Sequence, residues 1–203
     1  MGADYFYKIS VIIFLSTLTG IRLYFKIKTS AMFDNLKKGR DGIGHLIFRG
    51  ITGSVLIFGL ILFLTKSEPA GVIPFCIQLR FFGLPAAAAG LLLITFSHIA
   101  LGRNFSTAVK TGRSRKLITR GVYRYIRHPM YTGYLLYFTA LFLLTANYII
   151  GISGIAVIVS LMTVRLKEEE AILFSRFGAA YQDYSSRTGR FVPLIKVKVI
   201  DRK

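Results

Sequence analysis

Five apolar stretches, separated by polar and mostly basic segments, constrain the fold of this chain more than any other feature. They cover residues 5–24, 45–65, 84–101, 132–145 and 149–164. These stretches approach or reach the length needed to cross a hydrocarbon core about 30 Å thick. Because lipid offers no partner to a backbone N–H or C=O group, each stretch must satisfy its own hydrogen bonds as a helix. The sequence therefore predicts an all-α polytopic integral membrane protein with about five transmembrane helices.

The positive charges predict the orientation of these helices. Of the 27 Lys and Arg residues, 24 fall in residues 22–49, in residues 103–127 or after position 164, and the other three are Lys8, Lys66 and Arg80. Because cytoplasmic segments of membrane proteins are enriched in cations, we expect the N-terminus outside and the C-terminus in the cytoplasm. The net charge of +18 also suits anionic membrane lipids. No nucleic-acid partner is expected, since the cations flank membrane spans.

Two of the connections between the predicted spans allow more specific predictions. Residues 66–83 include Pro69, Pro74 and an apolar piece, residues 72–79, which is too short to cross the bilayer and is expected to lie at its interface or to re-enter it. Only three residues separate the last two spans, so residues 132–164 are predicted to form a tight helical hairpin. We divide the chain into N-terminal transmembrane helices, residues 1–101, and a second region, residues 102–203, that ends in a cytoplasmic tail.

The segment LITRGVYRYIRHPMYTG, residues 117–133, is more elaborate than a topology signal requires. Pro129 suits the first turn of the following helix and turns His128 away from helical geometry. The start of a helix attracts anions, so a ligand carboxylate can dock there. The alternative is that these Tyr and Arg residues only anchor the helix at the membrane interface. Spacing alone leaves both readings open.

The segment that follows the last span concentrates acidic residues at a membrane boundary. Three of the nine Asp and Glu residues are consecutive there, Glu168 to Glu170. If the helix continues, Arg165 and Glu169 share one face. Ordinary ion pairs on a solvated helix end would explain this pattern, but carboxylates near a membrane are costly and often functional. The three histidines lie in no Cys/His cluster, so no metal site is predicted.

Taken together, these motifs resemble the isoprenylcysteine carboxyl methyltransferase family. The resemblance is carried by GVYRYIRHPMYTG, the short hairpin, RLKEEEAILFSRFGAAYQDYSSRTGRFVP, the preceding GRNFSTAV and the terminal KVKV. It covers residues 102–199, with the motifs in the family's order and separation. It implies a methyltransferase that takes S-adenosylmethionine from the cytosol and a lipophilic substrate from the bilayer, with the carboxylate of an isoprenylated cysteine as the expected acceptor.

The family's functional positions fall on specific residues of this chain. The resemblance places Arg165 at the reaction centre as the catalytic residue. It implies that the cofactor-binding residues are Leu117, Ile118, Tyr123, His128, Pro129, Tyr131, Glu169 and Glu170. The third span, residues 84–101, contains no Lys or Arg. The sequence therefore leaves open whether a second cation assists Arg165.

Three other functions compete with this interpretation. A phospholipid N-methyltransferase would use the same cofactor on an amine. A membrane reductase of the sterol reductase type would use NADPH and has a related C-terminal helical arrangement, but the uninterrupted RHPMY and EEE motifs favour the methyltransferase. A membrane scaffold without enzymatic activity would bind neither cofactor and would leave the agreement of several spaced motifs unexplained.

Overall fold

The structure, a computed structural model, describes residues 2–28, 43–66, 71–74, 77–102 and 116–194. In these ranges the chain forms seven α-helices: α1 (Gly2–Lys28), α2 (Ile43–Thr65), α3 (Ile77–Phe81), α4 (Gly83–Leu101), α5 (Pro129–Thr145), α6 (Tyr148–Phe177) and α7 (Ala179–Arg187). The only β pairings among the described residues are two isolated bridges. The predicted all-α fold is confirmed. Most of GRNFSTAV and all of KVKV lie outside the described residues.

Four helical stretches are long and apolar enough to cross a membrane. They are Asp4–Lys28, Ile43–Thr65, Gln78–Leu101 and Tyr148–Phe177, and they coincide with four of the five predicted spans. The fifth, α5, has 17 residues and is about 26 Å long at 1.5 Å per residue. It packs against α4 on one side and α6 on the other. The chain is an integral membrane protein, and the crossing of α5 stays a prediction.

Helices α5 and α6 form a tight antiparallel hairpin. Ala146 ends α5 in the left-handed conformation, with φ of 49°. The side chain of Asn147 then accepts hydrogen bonds from the backbone amides of Ile149 and Ile150, which caps α6. Helix α6 runs for 30 residues, about 45 Å, so it is longer than the predicted span and carries Arg165 and the three glutamates on the same continuous helix.

The contact between α4 and α5 depends on two glycines. A Cβ atom on Gly90 would lie 2.9 Å from the carbonyl oxygen of Gly133, and one on Gly133 would lie 2.8 Å from Cγ1 of Ile94. Small residues at such crossings let two helix backbones approach closely. This close approach sets the position of α5, whose first turn carries the site described below.

The end of the bundle opposite that site gathers the three cations that lie outside the basic segments. Lys8 Nζ donates a hydrogen bond to the Lys66 carbonyl at 2.9 Å. Arg80 donates through Nε and Nη2 to the Leu144 carbonyl at 3.1 and 2.8 Å, and its guanidinium carbon lies 3.7 Å from the centre of the Tyr7 ring. Nearby, residues 71–74 lie against the α5–α6 turn, where the Ile73 amide donates to the Ala146 carbonyl at 2.7 Å. Lys8, Lys66 and Arg80 thus share one end of the molecule, and the outside location of that end stays a prediction.

Candidate functional site

His128 stands at the entrance of α5, immediately before Pro129 at the first position of the helix. Its own conformation is non-helical, with φ of −125° and ψ of 58°, as expected for a residue before proline. The backbone amides of Arg127 and His128 donate to the carbonyls of Gly189 and Arg190 at 2.7 and 3.0 Å. These two amides, which precede the first turn of α5, are engaged by the segment that follows α7. The docking of a ligand carboxylate at the start of the helix stays a prediction.

Glu170 is the centre of a hydrogen-bonded cluster between three parts of the chain. Its Oε1 lies 3.0 Å from Nε2 of His128 and accepts from Nε of Arg190 at 2.9 Å. Nη2 of Arg190 donates to the other carboxylate oxygen. The Glu170 side chain is largely buried, whereas that of Arg190 is half exposed. Such two-pronged pairing fixes geometry as well as charge, so Glu170 joins α6, the start of α5 and the C-terminal segment.

Glu169 faces a different environment. Its Oε1 accepts a hydrogen bond from the Tyr131 hydroxyl at 2.8 Å, and its Oε2 lies 3.9 Å from Nδ1 of His128. The Glu169 side chain is 47% exposed, compared with 18% for Glu170. Glu169 therefore keeps carboxylate lone pairs that water or a ligand can reach, while Glu170 is saturated by protein donors.

Burial determines the charge of His128. It lowers the pKa of the imidazole, and the hydrogen bond to Glu170 offsets this only in part. His128 is therefore neutral at pH 7 and has one N–H to donate. Because the Glu170 carboxylate can only accept, the proton belongs on Nε2. That leaves Nδ1 as an acceptor, so this histidine has no second donor for a ligand carboxylate.

Tyr123 anchors the segment that leads into the site. It is buried in a 3₁₀ turn, Gly121–Arg124, which begins at Gly121 with a φ of +61°. The Tyr184 hydroxyl, on α7, donates to the Tyr123 carbonyl at 2.7 Å. Burial, and secondarily the neighbouring Tyr181, raise the pKa of Tyr184 to about 12, so the hydroxyl stays protonated and keeps this bond at neutral pH. Tyr184 thereby ties α7 to the 3₁₀ turn.

The structure brings most of the sequence-predicted residues together. His128, Tyr131, Glu169 and Glu170 contact one another directly. Arg165 lies one helical turn before Glu169, with an exposed side chain, and its charge acts on both Glu169 and Tyr131. The remaining predicted residues, Leu117, Ile118, Tyr123 and Pro129, belong to the chain that enters the site, and the first two are half buried.

Two arginines of the site were not predicted from the sequence. Arg190 pairs with Glu170, and Arg127 Nε lies 4.0 Å from Glu170 Oε1 while its Nη1 donates to the Ser185 carbonyl. The available signal was an excess of cations around a rare acidic cluster. That signal did not show which cation would pair with Glu170, because Arg190 lies 20 residues from Glu170 and reaches it only through α7.

In the described ranges, His, Cys, Asp and Glu form no group of three that could hold a metal ion.

The region that contains this site matches a known protein family. The model of the isoprenylcysteine carboxyl methyltransferase (ICMT) family matches residues 84–175. That range includes Tyr123, His128, Tyr131, Arg165 and both site glutamates, and it excludes Arg190. The resemblance seen in the sequence motifs is confirmed.

Individual relatives of the chain are named as protein-S-isoprenylcysteine O-methyltransferases. Protein-S-isoprenylcysteine O-methyltransferase B of Arabidopsis thaliana is 33% identical over 116 residues, which are 56% of this chain and 59% of that protein. The Schizosaccharomyces pombe protein-S-isoprenylcysteine O-methyltransferase is 31% identical over 108 residues, 52% of this chain and 46% of its own length. The Homo sapiens protein of that name is 30% identical over 124 residues, 57% and 44% of the two chains. The chain thus spans about half the length of the relatives it matches.

A solved structure shares the fold across nearly the whole chain. It is that of the eukaryotic intramembrane Ras methyltransferase ICMT, with a TM-score of 0.55 and 20% sequence identity. The likeness covers 92% of this chain and 68% of the solved one. The helical arrangement therefore extends beyond the matched family region to the N-terminal helices.

Proposed function

We propose, from the match of residues 84–175 to the isoprenylcysteine carboxyl methyltransferase family, that the protein transfers a methyl group from S-adenosylmethionine to a lipophilic acceptor in the membrane. The observation that carries the proposal is the cluster of His128, Tyr131, Glu169 and Glu170 at one end of the helices. It joins the two segments that the resemblance assigns to the cofactor.

The residues of the cluster fit the chemistry of this cofactor. The molecule has a ribose diol, an amino group, a carboxylate and a positively charged sulfur. Glu169, half exposed and holding free lone pairs, can accept from the diol or the amine. The Tyr131 ring lies beside it, and aromatic faces attract cations such as a sulfonium. When bound, S-adenosylmethionine supplies the methyl group in an activated form.

Each glutamate has a separate role in this proposal. Glu169 binds the cofactor directly, with Tyr131 holding its carboxylate in place. Glu170 positions His128 and the C-terminal segment through its bonds to His128 and Arg190. Leu117, Ile118 and Tyr123 line the approach from the segment that precedes α5.

Arg165 is the residue proposed to meet the acceptor. Its guanidinium is exposed, one turn before Glu169 on α6, and it can hold a carboxylate by a two-pronged hydrogen bond. Methyl transfer by in-line displacement gains rate from holding the two reactants in line and excluding water. The protein's part is therefore to orient the acceptor and to shield it from water.

A carboxylate acceptor suits this site better than an amine. A carboxylic acid with a pKa near 4 arrives deprotonated at pH 7, so the protein need not remove a proton before transfer. An ammonium group would need a base and would be repelled by Arg165. The proposed acceptor is therefore the carboxylate of an isoprenylated cysteine or a comparable lipophilic acid, entering from the bilayer, while the cofactor enters from the cytoplasm.

The test is direct ligand binding to the purified full-length chain. S-adenosylhomocysteine, the product of the donor, should bind with a measurable enthalpy in calorimetry and raise the melting temperature, and NADPH should do neither. Transfer of a labelled methyl group to a membrane lipid extract would then identify the acceptor class. Binding of NADPH without S-adenosylhomocysteine would support the reductase instead, and binding of neither would support a scaffold.

A further inference from the structure

Arg22 is a cation of α1 that faces the bundle. Its guanidinium carbon lies 5.8 Å from the centre of the Tyr134 ring on α5. One turn further along α1, Phe25 stacks on the buried His98 of α4, with ring centres 4.7 Å apart and planes 10° apart. Residues three apart on a helix share a face. Arg22 and Phe25 therefore both point toward α4 and α5, and the Arg22 side chain remains exposed at its edge.

This position is next to the proposed cofactor site. Tyr134 follows Tyr131 by three residues on α5, so the two rings are neighbours on the helix surface. Tyr131 donates to Glu169 on α6. The Arg22 guanidinium approaches this part of α5 from α1, while Arg165 approaches from α6.

The charge of Arg22 has no acidic partner among the residues that the structure describes. The ion pairs found there involve other cations, and the contact of Arg22 is with an aromatic ring. A cation near the end of an apolar span, here Asp4–Lys28, is costly at membrane depth unless it meets an anion or water. The contact with an aromatic ring does not neutralise the charge. An anionic ligand that reaches the Tyr134 side of α1 would supply such a partner.

We infer that Arg22 binds the anionic oxygens of the lipophilic acceptor, on the α1 side of the proposed methyl-transfer site. The inference rests on the proposed function, and it adds a second cation to Arg165 from a helix outside the matched family region, residues 84–175. A carboxylate held between two guanidinium groups is restrained in orientation as well as in position. Arg22 would thereby select acidic acceptors over neutral ones with the same lipid tail.

The test compares two probes that differ only in charge. N-acetyl-S-farnesylcysteine and its neutral carboxamide are titrated into the full-length protein in phosphatidylcholine nanodiscs, without cofactor. The variant is Arg22→Gln, and Lys26→Gln, one turn further along the same helix, is the matched control. We expect Arg22→Gln to weaken binding of the acid about tenfold, the usual cost of one charged hydrogen bond, with less than about a twofold change for the carboxamide. Lys26→Gln should change neither.

Two outcomes would overturn the inference. One is an acid affinity that Arg22→Gln leaves unchanged or lowers by the same factor as the carboxamide affinity. The other concerns a lipid phosphate, which offers the same anionic oxygens. If phosphatidylglycerol in the nanodiscs abolishes the preference of the parent for the acid, Arg22 serves the headgroup and not the acceptor.

The proposed function is read separately in the same samples. Titration with S-adenosylhomocysteine tests the cofactor site, which Arg22→Gln should leave intact. If the parent fails to bind S-adenosylhomocysteine, the proposed function is wrong, and the two probes still report on Arg22. If the parent binds it and either of the two outcomes above is found, only the inference about Arg22 is wrong.

Discussion

Nε2 of His128 lies 3.0 Å from Oε1 of Glu170, although the two residues are 42 positions apart in the chain. This contact joins the entrance of α5 to the part of α6 beyond the predicted span. Arg190 also donates hydrogen bonds to both oxygens of the Glu170 carboxylate. Among the described residues, the neighbouring Glu169 has one hydrogen-bond donor, the Tyr131 hydroxyl, and its side chain is more exposed. Adjacent glutamates thus have unequal surroundings, which implies unequal roles.

Glu170→Gln should destabilise the protein. The carboxamide has one acceptor oxygen, so it cannot accept from His128 and from both arms of Arg190, and the neutral side chain also loses the charge interaction. We expect a loss of about 1.5–3 kcal/mol, in the range for a hydrogen bond to a charged group, seen as a lower melting temperature in detergent. Glu168→Gln is the matched control, since it removes an adjacent carboxylate outside this cluster. Equal melting temperatures for the two variants would mean that the cluster does not contribute to stability.

Glu169→Gln should weaken cofactor binding more than it affects folding. The half-exposed carboxylate offers strong acceptors to ligand hydroxyl or amino groups, and an amide offers a weaker one. We expect the dissociation constant of S-adenosylhomocysteine, measured by calorimetry, to rise about tenfold or more, with little change in melting temperature. Unchanged affinity would remove Glu169 from the cofactor site.

Arg165→Ala should show the reverse pattern. If Arg165 holds the acceptor during transfer, its loss should lower turnover about a hundredfold, comparable to removing one preorganised donor from an active site. The affinity for S-adenosylhomocysteine should change little. Turnover is measured with a labelled methyl donor and the acceptor found in lipid extracts, and a loss of cofactor affinity matching the loss of turnover would assign Arg165 to the cofactor instead.

The sequence predicted the helices well because hydrophobic length is a local property. Four of the five predicted spans coincide with long apolar helices. The end of α6 was left open, since the continuation of the helix past the last span was stated only as a condition. The apolar pattern stops near Val164, but the helix runs on to Phe177, because helix formation does not require apolar residues once lipid is left behind. Similarly, the pairing of residues 71–74 with the α5–α6 turn depends on tertiary contacts that leave no periodic signal.

Prediction of the site was more uneven. The motifs identified His128, Tyr131 and the two glutamates, and the structure places these residues in contact. They did not distinguish the roles of Glu169 and Glu170, because that difference arises from Arg190, which returns to the site through α7. Arg22 carried no sequence signal, since a cation near the end of a span is usually a topology determinant. The structure distinguishes Arg22 from such a cation by the contact of its guanidinium with the Tyr134 ring.

Acidification should destabilise the protein through His128. Burial lowers the pKa of His128 in the folded state, whereas the unfolded chain has a value of about 6.5. Below that pH the unfolded state binds a proton that the folded state resists, so stability falls as the pH decreases toward the folded pKa. The groups facing the ring are Glu169, Glu170, Arg127 and Arg190.

The measurement is the melting temperature between pH 7.5 and 5.5, for the parent and for His128→Asn, which keeps a hydrogen-bond donor but does not titrate. The parent should lose more stability over this range than the variant. Parallel curves for the two proteins would show that His128 does not contribute to the pH dependence.

Gly133→Ala should disturb the packing that positions α5. The added methyl group would meet Cγ1 of Ile94 at 2.8 Å and the Gly90 carbonyl at 3.0 Å, and the backbone atom cannot move aside without separating the helices. We expect a loss of about 1–3 kcal/mol, as for overpacking of a core. Gly53→Ala, on α2, is the matched control because nothing lies within 4 Å of its added Cβ. Since α5 begins at the site, Gly133→Ala should also weaken binding of S-adenosylhomocysteine. Normal affinity in a destabilised Gly133→Ala protein would show that the helix crossing supports the fold without setting the geometry of the site.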